Sequence, residues 1–491
     1  MNLTNKTIVL LIALVFVGRS AAWADKKPKS GTEKKGYNIT LHIENNTDSV
    51  FYLGNYYANN MYAIDTAVRD KKGNFVFSKK ERTLPAGLYF FTNPAHDYVE
   101  FMVFEEYPDF KFTTDNSDWA GKMKVQGSKQ NELFIEYRQR NKVLYHELDS
   151  LKKVVTDPAA YKQLSRDKRH SLDSLYINKY PNTMVGMMLK AMWEPDVPET
   201  DSAGNALTNR QRFEYYMDHY FDNMAMDQDF LVRTPEVVFY NRINNYLDKS
   251  LRGSDPETLI FYIDQMIDRA RPSKEVFKYL VHSITEKYLQ SKVMSYDEVY
   301  VHMIKRYYAS GEAFWSSPSF IDEETKRANT WERLLIGKPA PELVMKDIDG
   351  RPRYMYQIPN KYTLLVFWSP SCGHCKTTIP ELYEVFSRFR QRCDIAGYAV
   401  LSEPDDQTRP KWRKFIDDHH LEWFNMDGGE ANIDWHEVYD VETTPQIYLL
   451  DKDKVILAKK FTPESFEYIL RTLENIPDDE LKKPETKTEE N

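Results

Sequence analysis

"FWSPSCGHCKTTIPEL", residues 367–382, holds two of the three cysteines in a chain of 491 residues. It follows "TLLVFWS" (363–369), a continuous apolar run suited to a strand buried on both faces. The residues from His374 to about Arg390 have helical spacing. Cys372 and Cys375 therefore sit where a buried strand turns into a helix. Three chemistries fit such a pair: a catalytic dithiol, half of a metal site, or a structural clip. At a helix N-terminus Cys372 meets the positive end of the dipole and unpaired N–H groups, both of which stabilise a thiolate. Cys375, three residues on, is within reach to form a disulfide with it.

The N-terminus bears on that choice. Lys6, the apolar stretch "IVLLIALVFVG" (8–18) and Ala22-Trp23-Ala24 have the order of an export signal with its cleavage site. The apolar run falls short of the ~20 residues a spanning helix needs. No cysteine stands near the cleavage point, so a lipoprotein anchor is not expected. The mature chain is expected to begin near Asp25 with a flexible basic leader, 25–36, and to be soluble in the periplasm of a Gram-negative cell. In an oxidising compartment a structural framework would show many paired cysteines. Three cysteines in a chain of this length point to redox chemistry at 372 and 375. A net charge of −8 with no basic stripe excludes a nucleic-acid surface.

Outward from the pair, the chain reads as several domains. Residues 37–130 alternate with period two in "YNITLHIEN" (37–45), "NFVFS" (74–78), "LPAGLYFFT" (84–92), "YVEFMVF" (98–104) and "DFKFTTD" (109–115), which predicts an all-β, sandwich-like domain. Residues 131–330 predict an all-α region of six to eight helices. Starts are expected at Asp157-Pro158, Thr234-Pro235 and Asp255-Pro256, with a capping box at Ser295 and Glu298. "YYMDHYFDNMAMDQDF" (215–230) reads as buried core, with a substrate groove as the alternative. Residues 335–476 predict an α/β domain. Its parts are the strand and helix of the pair, a parallel strand at 394–402, a helix at 409–420, a hairpin at 445–451 and 454–460, and a closing helix at 463–476. A charged tail, 477–491, is expected to be disordered.

A strand running into C-x-x-C at a helix start is the sequence form of a thioredoxin-like redox site, in which Cys372 attacks a disulfide and Cys375 resolves the mixed disulfide. Pro380, inside the helix, should kink it. Pro445, after Thr444 at the start of a strand, is well placed to be cis and to leave its neighbour's backbone free for an extended peptide. Residues 335–476 resemble the exported TlpA/ResA-like branch of the thioredoxin superfamily. The resemblance is carried by "IGKPAPELVMKDIDGRPRYMYQI" (336–358), Trp368, Cys372-Gly373-His374-Cys375, Pro380 and Thr444-Pro445. It implies a thioredoxin-like fold and a thiol-disulfide oxidoreductase with a redox-active Cys372–Cys375 disulfide. Gly373, His374, Trp368 and Pro380 would modulate the site, and Thr444 and Pro445 would bind substrate backbone. The resemblance implies protein thiols and disulfides as substrates, a membrane or exported electron donor, and no cofactor. The two preceding regions more loosely resemble segments of Bacteroidetes-type exported proteins, and a homodimer through them is one expectation.

Two positions depart from the family pattern. Val366 stands where cytoplasmic thioredoxins carry a buried Asp, and Thr378 where the TlpA/ResA branch often has Glu. Direction is divided as well. The Gly-His dipeptide resembles protein disulfide isomerase, and an imidazolium at His374 would make the pair more oxidising. The TlpA/ResA resemblance implies a reductase, which is the expectation here. A zinc site lacks its second ligand pair, since His419, His420 and His436 have no ligand spacing. A clip closing so short a loop stabilises little. "FWSPSC" lacks the Thr of a peroxidatic cysteine, and no G-x-S-x-G elbow is present. Cys393, before a buried strand, reads as a free buried thiol. The competing class is a polypeptide-binding protein whose thioredoxin-like domain is accessory.

Overall fold

The computed structural model describes residues 36–477 and 480. The expected signal segment, all of the leader but Gly36, and all of the tail but Pro477 and Glu480 lie outside the described residues. The described residues form two compact units, one of 36–254 with 262–279 and the other of 255–261 with those from 280 onward.

The first unit begins with β1 (Tyr37–Glu44), β2 (Val50–Tyr57), β3 (Asn60–Val68), β4 (Asn74–Lys79), β5 (Gly87–Thr92), β6 (Tyr98–Val103), β7 (Asp109–Asp115) and β8 (Lys124–Gln126). They make two four-stranded sheets, β4-β1-β7-β8 and β3-β2-β5-β6. The strand-period residues Ile39, Leu41, Leu53, Phe91, Phe101 and Phe112 join in one apolar cluster, with Phe91 and Phe101 stacked at 4.4 Å. All five strands read from the sequence are present. The hairpin β2–β3 and the short β8 were not read. β3 buries only one of its nine residues, so it carries little of the alternation that marks a half-buried strand.

Helices follow: α1 (Lys129–Val154), α2 (Pro158–Lys179), α3 (Met184–Ala191), α4 (Asn209–His219) and α5 (Tyr240–Asn245), then α6 (Pro256–Ala270) and α7 (Lys274–Leu289). Asp157 caps α2 ahead of Pro158, and Asp255 accepts from Thr258 N at 2.8 Å ahead of Pro256. No helix starts at Thr234-Pro235. The Thr234 hydroxyl donates back to Leu231 O and closes the preceding turn, so the next helix begins only at Tyr240. Met217, Tyr220, Phe221, Met224, Met226 and Phe230 are buried, which makes 215–230 core. Some of its polar residues, His219 and Asp222 among them, face an open cleft of about 900 Å³.

The second unit holds α8 (Asp297–Met303), α9 (Pro318–Arg333), β9 (Val344–Asp347), β10 (Pro352–Tyr354), β11 (Tyr362–Trp368), α10 (Gly373–Phe389), β12 (Ile395–Leu401), α11 (Thr408–His419), β13 (Phe424–Asp427), α12 (Trp435–Val438), β14 (Gln446–Leu450), β15 (Ile456–Lys459) and α13 (Pro463–Glu474). The capping box expected at Ser295 and Glu298 is absent. Ser295 takes a left-handed backbone (φ 76°), and α8 starts two residues later without a side-chain cap. The middle of the chain carries α1 to α9, more than the six to eight expected. α3, α5 and α8 have eight, six and seven residues, too short for a clear helical period. The sheet runs β10-β9-β13-β12-β11-β14-β15, with β11 parallel to β12 and antiparallel to β14. One face, with Val366 and Trp368, packs on α10 through Ile379, Leu382 and Phe386. The other, with Leu365, Phe367 and Tyr448, packs on Trp435 and Tyr439. Among the described residues no helix is long and apolar enough to cross a membrane.

The first turn of α1 is fixed to the edge of a sheet. Asn131, fully buried, accepts from Met102 N and donates to Met102 O, both at 2.7 Å, as a neighbouring strand would. Asn131→Ala leaves two buried backbone groups unpaired, each worth about 1–3 kcal/mol. The expected outcome is a destabilisation of at least about 2 kcal/mol, read from urea unfolding.

Candidate active site

β11 is buried at all seven positions and delivers the chain to the turn Ser369–Ser371. α10 begins at Gly373 with Cys372 as its N-cap, and no side chain accepts from the first-turn N–H groups. Left without a side-chain acceptor, the backbone N–H groups of His374 and Cys375 favour the Cys372 thiolate. Across the site Thr444 and Pro445 are joined by a cis peptide, and the Cys372 thiol meets Thr444 O at 3.3 Å. Burial pushes the Cys372 thiol up, but the Thr444 side chain, followed by Cys375 and the His374 backbone, outweighs it, and its pKa lies below the ordinary thiol value.

Cys375 is fully buried, in the same apolar cluster as Val366, Trp368 and Ile379. Burial pushes its thiol up to about 12, against the opposing Ser369 N–H, and the neighbouring Cys372 adds to the rise. Both cysteines stand as free thiols, the reduced form of the pair. A half-exposed thiol that ionises readily thus adjoins a buried one that holds its proton. That arrangement can attack a disulfide from one sulfur and store the second proton on the other.

Residues 336–459 match the AhpC/TSA family model. Residues 37–134 and 173–329 match two models described only as domains of unknown function, DUF4369 and DUF5106. The thiol-disulfide oxidoreductase ResA of Bacillus cereus is 25% identical over 146 residues, which cover 30% of this chain and 80% of ResA. This domain is similar to the ResA-like thiol-disulfide oxidoreductases of the thioredoxin family. The methylamine utilization protein MauD of Methylobacillus flagellatus is 31% identical over 144 residues, 28% of this chain and 63% of MauD. A thioredoxin-like protein from Bacteroides caccae superposes with a TM-score of 0.48 at 24% identity, over 57% of this chain and 98% of that one. A domain of a possible thiol-disulfide isomerase from Cytophaga hutchinsonii has a TM-score of 0.27 at 38% identity, over 29% of this chain and 94% of the domain.

Around the ResA-like pair, the other residues singled out from sequence fall into two groups. Trp368 is wholly buried, packs on Phe415 at 5.1 Å, and bounds the apolar pocket of Cys375. Pro380 lies inside α10, half-buried, and Thr378 is half-buried one turn after Cys375. Gly373 and His374 are exposed, and nothing lies within 4 Å of where a Gly373 side chain would begin. His374 acts on Cys372 through its backbone N–H. Cys393 is a buried thiol raised to about 11 by burial. Among the described residues no cluster has the makings of a metal site. His436 faces Ser402 O at 3.2 Å, and His419 lies against the Phe415 ring.

Sequence reasoning missed Ser369 and Glu403. The Ser369 hydroxyl donates to Glu403 Oε2 at 2.6 Å and accepts from Ser371 N at 3.1 Å, while Ser369 O accepts from Cys372 N at 3.2 Å. The signal was available in the topology. β11 and β12 are parallel neighbours with Trp368 beside Leu401, so residues just past their carboxyl ends must meet.

The two thiols should separate on alkylation. A thiol reacts as its thiolate, so reactivity is present above its pKa and lost as pH falls through it. Cys372 should therefore react with a midpoint below the ordinary thiol value. With Cys375 near 12, at least three units higher, its thiolate fraction at neutral pH is more than about a thousandfold smaller. Iodoacetamide labelling of the reduced chain, mapped by mass spectrometry across pH, checks this, and equal labelling at pH 7 would refute it.

Proposed function

We propose that the chain is an exported thiol-disulfide oxidoreductase that reduces disulfides of polypeptides through Cys372 and Cys375. The observation that carries this reading is the pairing of a thiolate-stabilised Cys372, half-exposed against Thr444 O, with a proton-holding Cys375 one turn into the same helix. The Cys372 thiolate attacks one sulfur of a substrate disulfide, forming a mixed disulfide and releasing a substrate thiolate that takes up a proton. Cys375 then gives up its proton and attacks Cys372, freeing the second substrate thiol. The substrate gains two electrons and the enzyme is left as the Cys372–Cys375 disulfide. A dithiol donor, membrane-bound or exported, must return it to the reduced form.

Several observations support the parts of this reading. Thr444 and Pro445 are half-buried beside the reactive sulfur, so a peptide strand could reach the backbone there. Trp368 and Pro380 would act by shaping the apolar pocket that keeps Cys375 protonated. The His374 backbone N–H favours the Cys372 thiolate and hence the reduced form, so the reductive direction rests on the similarity to ResA rather than on this site's electrostatics. The β-rich segment 37–130 would be a domain separate from the redox domain, whereas the end of the helical segment 131–330, α8 and α9, shares the redox domain's compact unit.

Insulin reduction driven by a dithiol is the direct test. Wild type should be active, Cys372→Ser inactive, and Cys375→Ser should accumulate mixed disulfides that identify the substrates. Activity that survives Cys372→Ser would end the proposal. A redox titration fixes the direction, since a potential below about −250 mV is expected of a reductase and one near −150 mV would reassign it as an oxidant or isomerase.

A further inference from the structure

The stretch from Tyr439 to Gln446 carries Thr444 and Pro445 but is not part of any strand until β14 begins. On the sheet side it is held at its ends. Gln446 Nε2 donates to Tyr439 O at 2.9 Å and to the Tyr448 hydroxyl at 2.5 Å, and Val441 N donates to His436 O at 3.0 Å. Its other side faces α8 and α9, the last helices before the redox domain. Trp331 Nε1 donates to Asp440 Oδ2, and Arg327 Nη2 lies 3.5 Å from Glu442 Oε1. The Lys460 ammonium sits 4.5 Å over the Trp331 ring. Beside it Lys459 pairs with Asp297 of α8 and donates to Leu334 O at 2.5 Å, both side chains of the pair nearly wholly buried.

A cavity of about 140 Å³ separates loop from helices, lined by Asp297, Trp331, Asp440 and Thr443 among others. Among the described residues Asp297 Oδ1 has no hydrogen-bond partner. Beside that cavity, directional polar contacts add to the apolar packing of Tyr439 and Val441 in setting where the loop rests. The five contacts touch residues 440, 442, 459 and 460, and the first two of these residues lie within four positions of Thr444. A loop that rests differently would move Thr444 O relative to Cys372 and change the backbone offered to an incoming strand.

We propose that α9 positions the substrate loop: Trp331, through Asp440, sets the place of Thr444–Pro445 and so tunes recognition of polypeptide disulfides. This rests on the thiol-disulfide reading above and adds a role for the C-terminal end of α9, just past the segment 173–329 whose family description assigns no function. Trp331 and Asp440 are positioning residues, touching neither thiol. A small aromatic disulfide needs the Cys372 thiolate but no backbone pairing, so the two substrate classes should respond differently.

The test uses the full chain with Trp331→Phe, which keeps the ring and removes the donor, and with Asp440→Ala. Asp440→Asn retains an acceptor for the indole and serves as the rescue. The expected result is a KM for insulin raised about tenfold in Trp331→Phe and Asp440→Ala, with kcat less affected. The rate with dithiobis(nitrobenzoate) and the pH profile of Cys372 alkylation should stay at wild type, and Asp440→Asn should restore the insulin KM. Insulin kinetics unchanged in both variants, or insulin and small-disulfide rates falling in parallel, would overturn the proposal. A wild type that cannot reduce insulin sinks the functional reading itself, an outcome distinct from an active wild type with an indifferent Trp331→Phe.

Discussion

The unclaimed N–H groups at the start of α10 are the constraint on which the redox site depends. A helix that opens on Ser, Thr, Asp or Asn satisfies its first donors with that residue's own oxygen. Here Cys372 occupies the cap, no oxygen is supplied, and the donors of His374 and Cys375 are left to favour its thiolate. The other features arrange themselves around that fact. β11, buried along its whole length, brings the cap to the edge of the sheet, and the loop ending in Thr444–Pro445 sets a carbonyl against the same thiol.

Two sulfurs three residues apart thereby acquire opposite chemistry. Cys372 lies where polar donors converge and solvent still reaches. Cys375, one turn on, points into the cluster of Val366, Trp368 and Ile379, where a charge would lose its hydration without compensation. The replacement of the acid at 366 by valine fits this division, since it keeps the pocket of Cys375 apolar. The charged group that does reach the turn is Glu403, which arrives through the Ser369 hydroxyl from the neighbouring strand.

Legibility followed the strength of the periodic signal. The buried run of β11, the amphipathic α10, the parallel β12 and the β14–β15 hairpin stand within a few residues of where their patterns place them. β13 and α12, four residues each, and the exposed β3 carry too little pattern to be read. Local cap chemistry was a weaker guide. Asp157 and Asp255 cap helices, but Thr234 bonds backward to Leu231, and Ser295 adopts a left-handed backbone that cannot serve as a cap. A hydroxyl beside a candidate helix start has several partners within reach, and only the fold selects among them.

The sequence by itself determined the cysteine pair, its place between a buried strand and a helix, and the proline seventy residues downstream that closes on it. These are local or strongly patterned features, set by spacing and by apolar runs. Tertiary structure alone decided that Thr444 O faces Cys372, that Glu403 meets Ser369, and that Trp331 reaches Asp440 across 109 positions of chain. Such contacts depend on which strand ends and helix ends are brought together. That is fixed by the order of strands in the sheet and by the burial of the whole domain, neither of which any short stretch of sequence contains.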